Sequence, residues 1–191
     1  MLQDALARID ASNCADPNQV SIRGNVRPLA LVHGQLATEW INHLVADPGD
    51  ALIIAARAHH LRRWELPRST YPEGRSGYLR WRQDQKVRHC SDVGDILTSV
   101  GYPDEIIGRV QQLIRNKGRA DGDADSQALE DASCLVFLET QLADMSERLD
   151  RPHLIEVIRK TARKMSPAGI AAIDRIDLDD AAKALLGEAF A

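Results

Sequence analysis

The chain has 191 residues with 28 acidic and 24 basic side chains, which gives a formal net charge of −4 at neutral pH. This length suffices for one well-buried core and is too short for two ordinary domains, so we expect a single domain over residues 1–191. No apolar run reaches the roughly 18 residues of a membrane span, and the segment after Met1 lacks the pattern of an export signal. We therefore expect a soluble, cytoplasmic protein with no membrane partner.

Apolar residues recur at helical spacing through most of the chain, which predicts an all-α fold of eight or nine helices. No segment alternates apolar and polar residues convincingly, so no strand is expected, and the ten residues after Pro17 are interpreted as a loop. Ser166 is expected to cap the helix that Pro167 begins. The predicted helices cover residues 2–11, 29–46, about 50–64, 78–100, 104–117, 126–148, 152–165, 167–175 and 178–190.

Residues 57–82 concentrate the chemically distinctive side chains, with two adjacent histidines, two of the three tryptophans and two of the three tyrosines. Over residues 62–88 the formal charge is +5, whereas the rest of the chain carries −9. Prolines and glycines predict a loop over 65–77. A cationic segment in an acidic chain favours an anion, and the arginine fork suits phosphate or carboxylate. The alternative is a solvated face whose arginines pair with acidic helices elsewhere in the chain.

Four of the six histidines are expected on inward helix faces or at the mouth of this loop. A single histidine on an apolar face is usually a core residue with satisfied hydrogen bonds. Histidines from several helices can instead build a metal site inside a bundle, where imidazole and carboxylate suit Zn, Mn or Fe. A carboxylate on the buried face of helix 126–148 is costly unless it is paired, protonated or bound to a metal. The candidate ligands are His33, His59, His60, His89 and Asp131.

The order of these residues resembles the HD-domain superfamily of metal-dependent phosphohydrolases, over most of residues 29–145. The resemblance is carried by His33, the histidine pair at 59–60, His89 in the segment H-C-S-D-V-G-D-I-L, and Asp131 in a helix after a connector. It implies an HD-like core over about 27–148 and a C-terminal helical extension over about 152–191. It also implies one divalent metal, with these residues as its ligands.

The sequence departs from the superfamily pattern in two places. His60 stands where the superfamily has its signature aspartate, and Asn116-Lys117 stand where some members have another histidine. Replacing a carboxylate by a neutral imidazole removes one negative charge, which hard, oxygen-preferring Mg tolerates less well than Zn does. We therefore expect Zn, Mn or Fe rather than Mg, and no organic cofactor.

A second resemblance covers nearly the whole chain and is to a bacterial and fungal family described as a domain of unknown function. It is carried by the segments RIDASNCADPN, HHLRRWELPRSTYPEGRSGYLRWR, LEDASCLVFLETQLADM and IRKTARKMSPAG. His60, Glu65, His89 and Asp131 match the pattern of this family. Some members are described as glutamyl-tRNA-synthetase-like, but such an enzyme needs a parallel-sheet nucleotide domain that this sequence lacks. The resemblance implies membership and gives almost no information on activity.

The first functional hypothesis is a metal-dependent hydrolase, or a degenerate relative of one, that acts on a small phosphorylated substrate such as a nucleotide. The metal would activate a water molecule, and Glu65 would take or orient its proton as the catalytic carboxylate. Cationic side chains would neutralise the phosphate, and aromatic rings would stack on a base. The candidates for substrate binding are Arg62, Arg63, Arg68, Arg75, Lys117, Trp64 and Tyr71.

The alternative hypothesis is a non-catalytic module that keeps the helical bundle, has lost the metal and binds a nucleotide, another anion or single-stranded RNA. Stacking rings and cationic side chains are the usual means of such binding. The net charge of −4 weakens the RNA version, because nucleic-acid binders usually carry a broader basic stripe. The sequence leaves both hypotheses open, and it leaves the oligomeric state open as well.

Overall fold

The structure, a computed structural model, describes residues 1–115 and 121–190. Across these residues the chain forms nine α-helices and one antiparallel hairpin, so the predicted all-α class is confirmed. None of the described helices is both long and apolar enough to cross a membrane. The elements are α1 (Leu2–Asn13), β1 (Gln19–Ile22), β2 (Asn25–Pro28), α2 (Leu29–Leu44), α3 (Asp50–Ala58), α4 (Gly74–Ser99), α5 (Asp104–Arg115), α6 (Ala124–Arg148), α7 (Arg151–Ala162), α8 (Pro167–Ala172) and α9 (Asp180–Phe190).

The helices share one continuous hydrophobic core. α2 packs against both α3 and α6, α3 also contacts α5, and α5 packs on α4. Fully buried side chains come from helices along the whole chain, including Ile9, Ile41, Leu97, Leu138 and Ile158. Burying a side chain of this size stabilises the fold by about 1.5–3 kcal/mol. The C-terminal helices are therefore packed into the same core as the helices that precede them.

Polar side chains mark the starts of three of the helices. Asp123 caps α6 and Asp150 caps α7, in both cases by accepting from backbone N–H groups of the first turn. Ser166 caps α8, with its hydroxyl oxygen 3.1 Å from the nitrogen of Gly169, as the sequence predicts. Each cap satisfies donors that the first turn of a helix leaves unpaired, and its loss typically costs about 1 kcal/mol.

The hairpin of β1 and β2 corrects the prediction of a loop after Pro17. The two strands pair along their full length of four residues, with Ile22 opposite Asn25. Arg23 and Gly24 form the turn with φ angles of 49° and 78°, the left-handed backbone that a two-residue hairpin loop favours. Strands as short as these have too few residues for apolar and polar side chains to alternate recognisably, which is why the sequence pattern did not reveal them.

α3 ends at Ala58, six residues before the predicted end of this helix. Arg62 has a left-handed backbone, with a φ of 49°, which the interior of an α-helix does not accommodate. Residues 59–73 form an irregular segment with two short 3-10 turns, which we call the 59–73 connector. His59 and His60 therefore lie just after α3, at the start of this connector, rather than on the last turns of the helix.

α4 begins at Gly74 and includes Gly77, so the prediction that both glycines belong to a loop and that the helix begins at residue 78 was wrong. A Cβ atom at position 77 would collide with the carbonyl of Pro72. Glycine is therefore required where the connector folds back onto the first turn of α4. This close approach holds the connector against α4, where the candidate site lies.

Candidate functional site

A cavity of about 510 Å³ opens between the 59–73 connector, α4, α6 and α7. Its volume is in the range of small-molecule sites, about 300–1,000 Å³. Leu113 and Phe137 contribute apolar surface to its lining. The polar cluster of the cavity consists of His33, His59, His60, Arg63, Gln85 and His89. The cavity thus offers a ligand both apolar surface and a concentration of polar groups.

Hydrogen bonds determine which ring nitrogens of His33 and His60 carry protons. The hydroxyl of Thr140 donates to the carbonyl of Val136 at 2.7 Å, so its oxygen is left to accept from Nε2 of His33, 3.1 Å away. Nδ1 of His33 is then the acceptor, and Nδ1 of His60, at 2.8 Å, donates to it. In the neutral imidazole of His60 the proton therefore lies on Nδ1, and Nε2 has a free lone pair.

His59 has the same tautomer for a different reason. Its Nδ1 lies 2.8 Å from the carbonyl of Ala56, and a carbonyl can only accept, so the proton of the neutral ring lies on Nδ1. The rings of His59 and His60 are stacked, with centroids 4.1 Å apart. Two adjacent imidazoles thus each have an Nε2 lone pair with no hydrogen-bond partner among the described residues.

Gln85 and His89 are one turn apart on α4 and are also incompletely paired. Both are almost fully buried, with 1% and 2% of their surfaces exposed. The Gln85 amide donates to the carbonyls of Arg63 and Leu66 at 2.8 and 2.9 Å, whereas its Oε1 has no partner. Neither ring nitrogen of His89 has a hydrogen-bond partner of normal geometry. Buried polar groups are rarely left unpaired, so these atoms are candidates for ligand contact.

The four histidines of the polar cluster are neutral at physiological pH. Burial is the main cause, and it lowers the pKa of His33 and of His89 to about 3 and that of His59 to about 4. Burial also lowers the pKa of His60 well below its usual value of 6.5. The positive charge of Arg63 acts in the same direction on all four. The charge of the site therefore comes from arginine and lysine, not from histidine.

Arg63 supplies a cation directly beside the histidines. Its guanidinium lies over the ring of Trp81, 4.5 Å from the centroid, and burial lowers its pKa. No carboxylate among the described residues forms an ion pair with it. The charged side chains that line the cavity are Arg63, Arg82, Lys86, Lys160, Lys164 and Glu130. Among the described residues, the lining thus carries five cations and one carboxylate, and this carboxylate, Glu130, pairs with Lys164 at 3.9 Å. An excess of cations in an acidic chain favours a ligand with negative charge.

Asp131 is buried as predicted, with 2% of its surface exposed, but its carboxylate does not line the cavity. It accepts from the backbone N–H of Ser166 at 2.8 Å and from the hydroxyl of the same residue at 2.5 Å. A third bond, at 2.9 Å, comes from the side chain of Gln127. The predicted convergence on one cavity thus holds for His60 and His89 and is wrong for Asp131, which fastens the start of α8 to α6.

These positions do not fit the predicted metal site. Within residues 1–115 and 121–190, no three His, Cys, Asp or Glu side chains are arranged to hold a metal ion. The carboxylate expected to compensate the charge of the ion, Asp131, is already occupied by three hydrogen bonds. Arginine and lysine around the histidines would also repel a divalent cation. Metal binding itself stays a prediction.

A family described as Domain of unknown function (DUF4202) matches residues 3–186. The chain belongs to this family. The matched region contains every described residue of the cavity lining, the helices α7 and α8 and most of α9, so the candidate site is built from residues of the family's domain. No curated protein and no solved structure matches the chain. Membership therefore leaves the chemistry of the family to be inferred from the site.

Several residues predicted to contact a substrate have structural partners instead. The backbone N–H of Arg62 donates to the side chain of Asn13 at 3.0 Å, which ties the connector to α1. The guanidinium of Arg68 donates to the carbonyls of Tyr71 and Pro72, both at 2.9 Å. These two arginines stabilise the irregular backbone of the connector, and neither lines the cavity.

Four further predicted residues, Glu65, Trp64, Tyr71 and Arg75, also lie away from the cavity lining. Glu65, the predicted catalytic carboxylate, is exposed and forms an ion pair with Arg88. The hydroxyl of Tyr71 donates to Asp84 at 2.7 Å. Trp64 is half-buried and Arg75 is exposed on α4, and Lys117 lies outside the described residues. Of the predicted substrate-binding residues in the described part of the chain, Arg63 alone lines the cavity.

Sequence reasoning missed Gln85, Thr140, Lys160 and Lys164. One signal was available for the first of these, because Gln85 precedes His89 by four residues and must share its helix face. The two lysines of the C-terminal region gave no such signal, since only tertiary packing brings residues 160 and 164 to a cavity formed around residue 60.

Proposed function

We propose that this protein is a binding module for a small phosphorylated molecule, which it holds in the cavity between the 59–73 connector, α4, α6 and α7. The observation that carries the proposal is the position of Arg63, a half-buried cation beside neutral histidines with no carboxylate partner among the described residues. A cation in partly desolvated surroundings interacts more strongly with an anion than it would in water. The arginine fork can also bind two phosphate oxygens at once.

The surroundings of Arg63 support the same ligand class. Lys86, Lys160 and Lys164 line the cavity, and a lysine binds phosphate as a point charge. Lys160 pairs with Glu156 and Lys164 with Glu130, so a phosphate would share these lysines with carboxylates. Tyr78 also lines the cavity and is 43% exposed, which leaves ring surface for contact with a nucleotide base. A volume of about 510 Å³ suits a single small molecule better than a strand of RNA.

The proposal does not extend to hydrolysis by an HD-like, metal-dependent mechanism. Asp131, the carboxylate expected to hold the ion, is fully engaged by Ser166 and Gln127. Glu65, the carboxylate expected to move a proton, is paired with Arg88 outside the cavity. These contacts support the non-catalytic alternative of the two functional hypotheses.

Thermal unfolding with inorganic phosphate, AMP and ATP tests this proposal. A ligand that binds only the native state stabilises it by about 2.7 kcal/mol at a hundredfold excess over Kd, so at least one of these compounds should raise Tm. Arg63→Met should remove most of the gain because it deletes the charge and keeps an apolar side chain over Trp81. Arg75→Met is the matched control, since this exposed arginine lies outside the cavity. No gain in the wild type, or an equal gain in both variants, would reject the proposed site.

A further inference from the structure

We propose that the polar cluster selects the neutral part of the ligand by its hydroxyl groups, so that the ligand is a phosphorylated sugar or polyol rather than a simple alkyl phosphate. This inference rests on the proposed function, because the phosphate is assigned to Arg63 and the lysines. It is carried by four polar side chains of the cavity lining that are incompletely paired. They are His59, His60, Gln85 and His89.

The histidine pair of the connector contributes two unpaired acceptor atoms. Hydrogen bonds to Ala56 and to His33 place the protons of His59 and His60 on Nδ1. The two Nε2 atoms can then only accept a hydrogen bond. Neither has a partner among the described residues, so both require a donor from the ligand or from water.

α4 contributes the other two side chains, Gln85 and His89. Both amide protons of Gln85 are used by the carbonyls of Arg63 and Leu66, so its remaining group, Oε1, is an acceptor as well. His89 is neutral and contributes one donor and one acceptor. The backbone of Leu61 acts on the pKa of His89 as a hydrogen-bond acceptor does, which accounts for its one N–H. The atoms of this group that remain without a partner are therefore acceptors, and those of Gln85 and His89 are buried from solvent.

A ligand that fits these acceptors must supply hydrogen-bond donors. A phosphate monoester at neutral pH is almost entirely an acceptor, since its second pKa is about 6, so it cannot satisfy a group of acceptors. A divalent cation or an ammonium group could do so, but the positive charge of Arg63, which acts on all three histidines, would repel either. Hydroxyl groups are neutral, each donates one hydrogen bond, and they suit this position.

The acceptors and the cation share one cavity. Arg63, Gln85 and the three histidines all line it, and the positive charge of Arg63 acts on the pKa of each of these histidines. A molecule with its phosphate and its hydroxyl groups only a few bonds apart can therefore reach both. Sugar phosphates have this arrangement, and inorganic phosphate and alkyl phosphates do not.

Isothermal titration calorimetry in the presence of EDTA tests the inference, with ribose 5-phosphate, 2-deoxyribose 5-phosphate, propyl phosphate and inorganic phosphate as probes. We expect wild-type protein to bind ribose 5-phosphate at least about tenfold more tightly than propyl phosphate, with the deoxy sugar between them, since one good hydrogen bond corresponds to about that factor. In His89→Met the ratio of the two affinities should fall towards one, because the variant removes one of the acceptors. His43→Gln, an exposed histidine on α2, is the matched control.

The outcomes separate this inference from the proposed function. Equal affinities for ribose 5-phosphate and propyl phosphate in the wild type would overturn the hydroxyl selection and leave phosphate binding intact. Absence of binding by all four probes, together with no gain in Tm from AMP or ATP, would overturn the proposed function itself. Because the wild-type comparison needs no variant, the inference remains testable even where His89→Met does not fold, which circular dichroism would reveal.

Discussion

The Nδ1 atoms of His33 and His60 lie 2.8 Å apart, and only one of them carries a proton. This bond joins α2 to the 59–73 connector across 27 positions of sequence. It also fixes the tautomer of His60 through a chain that begins at the hydroxyl of Thr140. The arrangement of the polar cluster is therefore determined from α6 and α2, before any ligand is bound.

Removing the acceptor of this bond should destabilise the fold. His33→Phe keeps an aromatic ring but leaves the Nδ1–H of His60 buried without a partner, which we expect to lower the free energy of unfolding by about 1–3 kcal/mol. Urea denaturation followed by circular dichroism measures the change. His43→Phe replaces an exposed histidine on the same helix and should stay within about 0.5 kcal/mol of the wild type. Equal losses in the two variants would contradict the assigned hydrogen bond.

The stability of the protein should fall on acidification because of the neutral histidines. The pKa of His89 is about 3 in the folded state, compared with 6.5 for an unperturbed ring, so the unfolded chain takes up protons first. The contribution of the neutral His89 ring to the free energy of unfolding is complete above about pH 6.5 and is lost as the pH falls towards 3. At pH 5.0 the loss from this residue alone should be about 2 kcal/mol relative to neutral pH.

Urea titrations at pH 7.5 and pH 5.0 measure this effect. His89→Met should reduce the difference between the two pH values by about 2 kcal/mol, because it removes one group that titrates only on unfolding. The control is His153→Gln on α7, whose imidazole is exposed and bonded to Asp150. A difference that is unchanged in His89→Met would mean that His89 is not a neutral, buried group.

Asp131 should act as a structural carboxylate. Asp131→Asn replaces an acceptor oxygen by an amide N–H₂ that cannot accept from Ser166, so we expect a loss of about 1–3 kcal/mol in the free energy of unfolding. Amide hydrogen exchange should increase most at the start of α8. Asp144→Asn, which changes an exposed carboxylate on the same helix, is the matched control.

Metal analysis of the Asp131 variant separates this role from the predicted one. If the carboxylate only anchors α8, elemental analysis should give the same metal content for Asp131→Asn and for the wild type. A metal that is present in the wild type and lost in the variant would restore the ligand role implied by the HD-domain resemblance.

Arg62 should be dispensable for ligand binding although it is adjacent to Arg63 in sequence. Its backbone is left-handed, a conformation that costs about 1 kcal/mol in a residue with a Cβ and nothing in glycine. Arg62→Gly should therefore change stability by less than about 1 kcal/mol and leave phosphate affinity unchanged. A loss of affinity as large as that of Arg63→Met would contradict the position of Arg62 outside the cavity.

The inward-facing residues could be predicted from the sequence because helical spacing reports which face is buried. His33, His89 and Asp131 were placed correctly on that basis. The partner of Asp131 could not be found in this way, since Ser166 is 35 residues away. The roles of the arginines in the connector were harder to predict, because these residues look alike in sequence and are distinguished only by backbone geometry. Arg62 faces α1, Arg68 binds its own loop, and Arg63 alone turns into the cavity.

The bond between Asp131 and Ser166 also decides whether the chain can be shortened. A protein ended near residue 150, where the HD-like core was expected to stop, would lose both bonds from Ser166 to Asp131 and the apolar side chains with which α7, α8 and α9 complete the core. It would also lose Lys160 and Lys164 from the cavity lining. The last forty or so residues are thus needed for the fold and for the cavity. We expect a fragment that lacks them to aggregate or to be degraded.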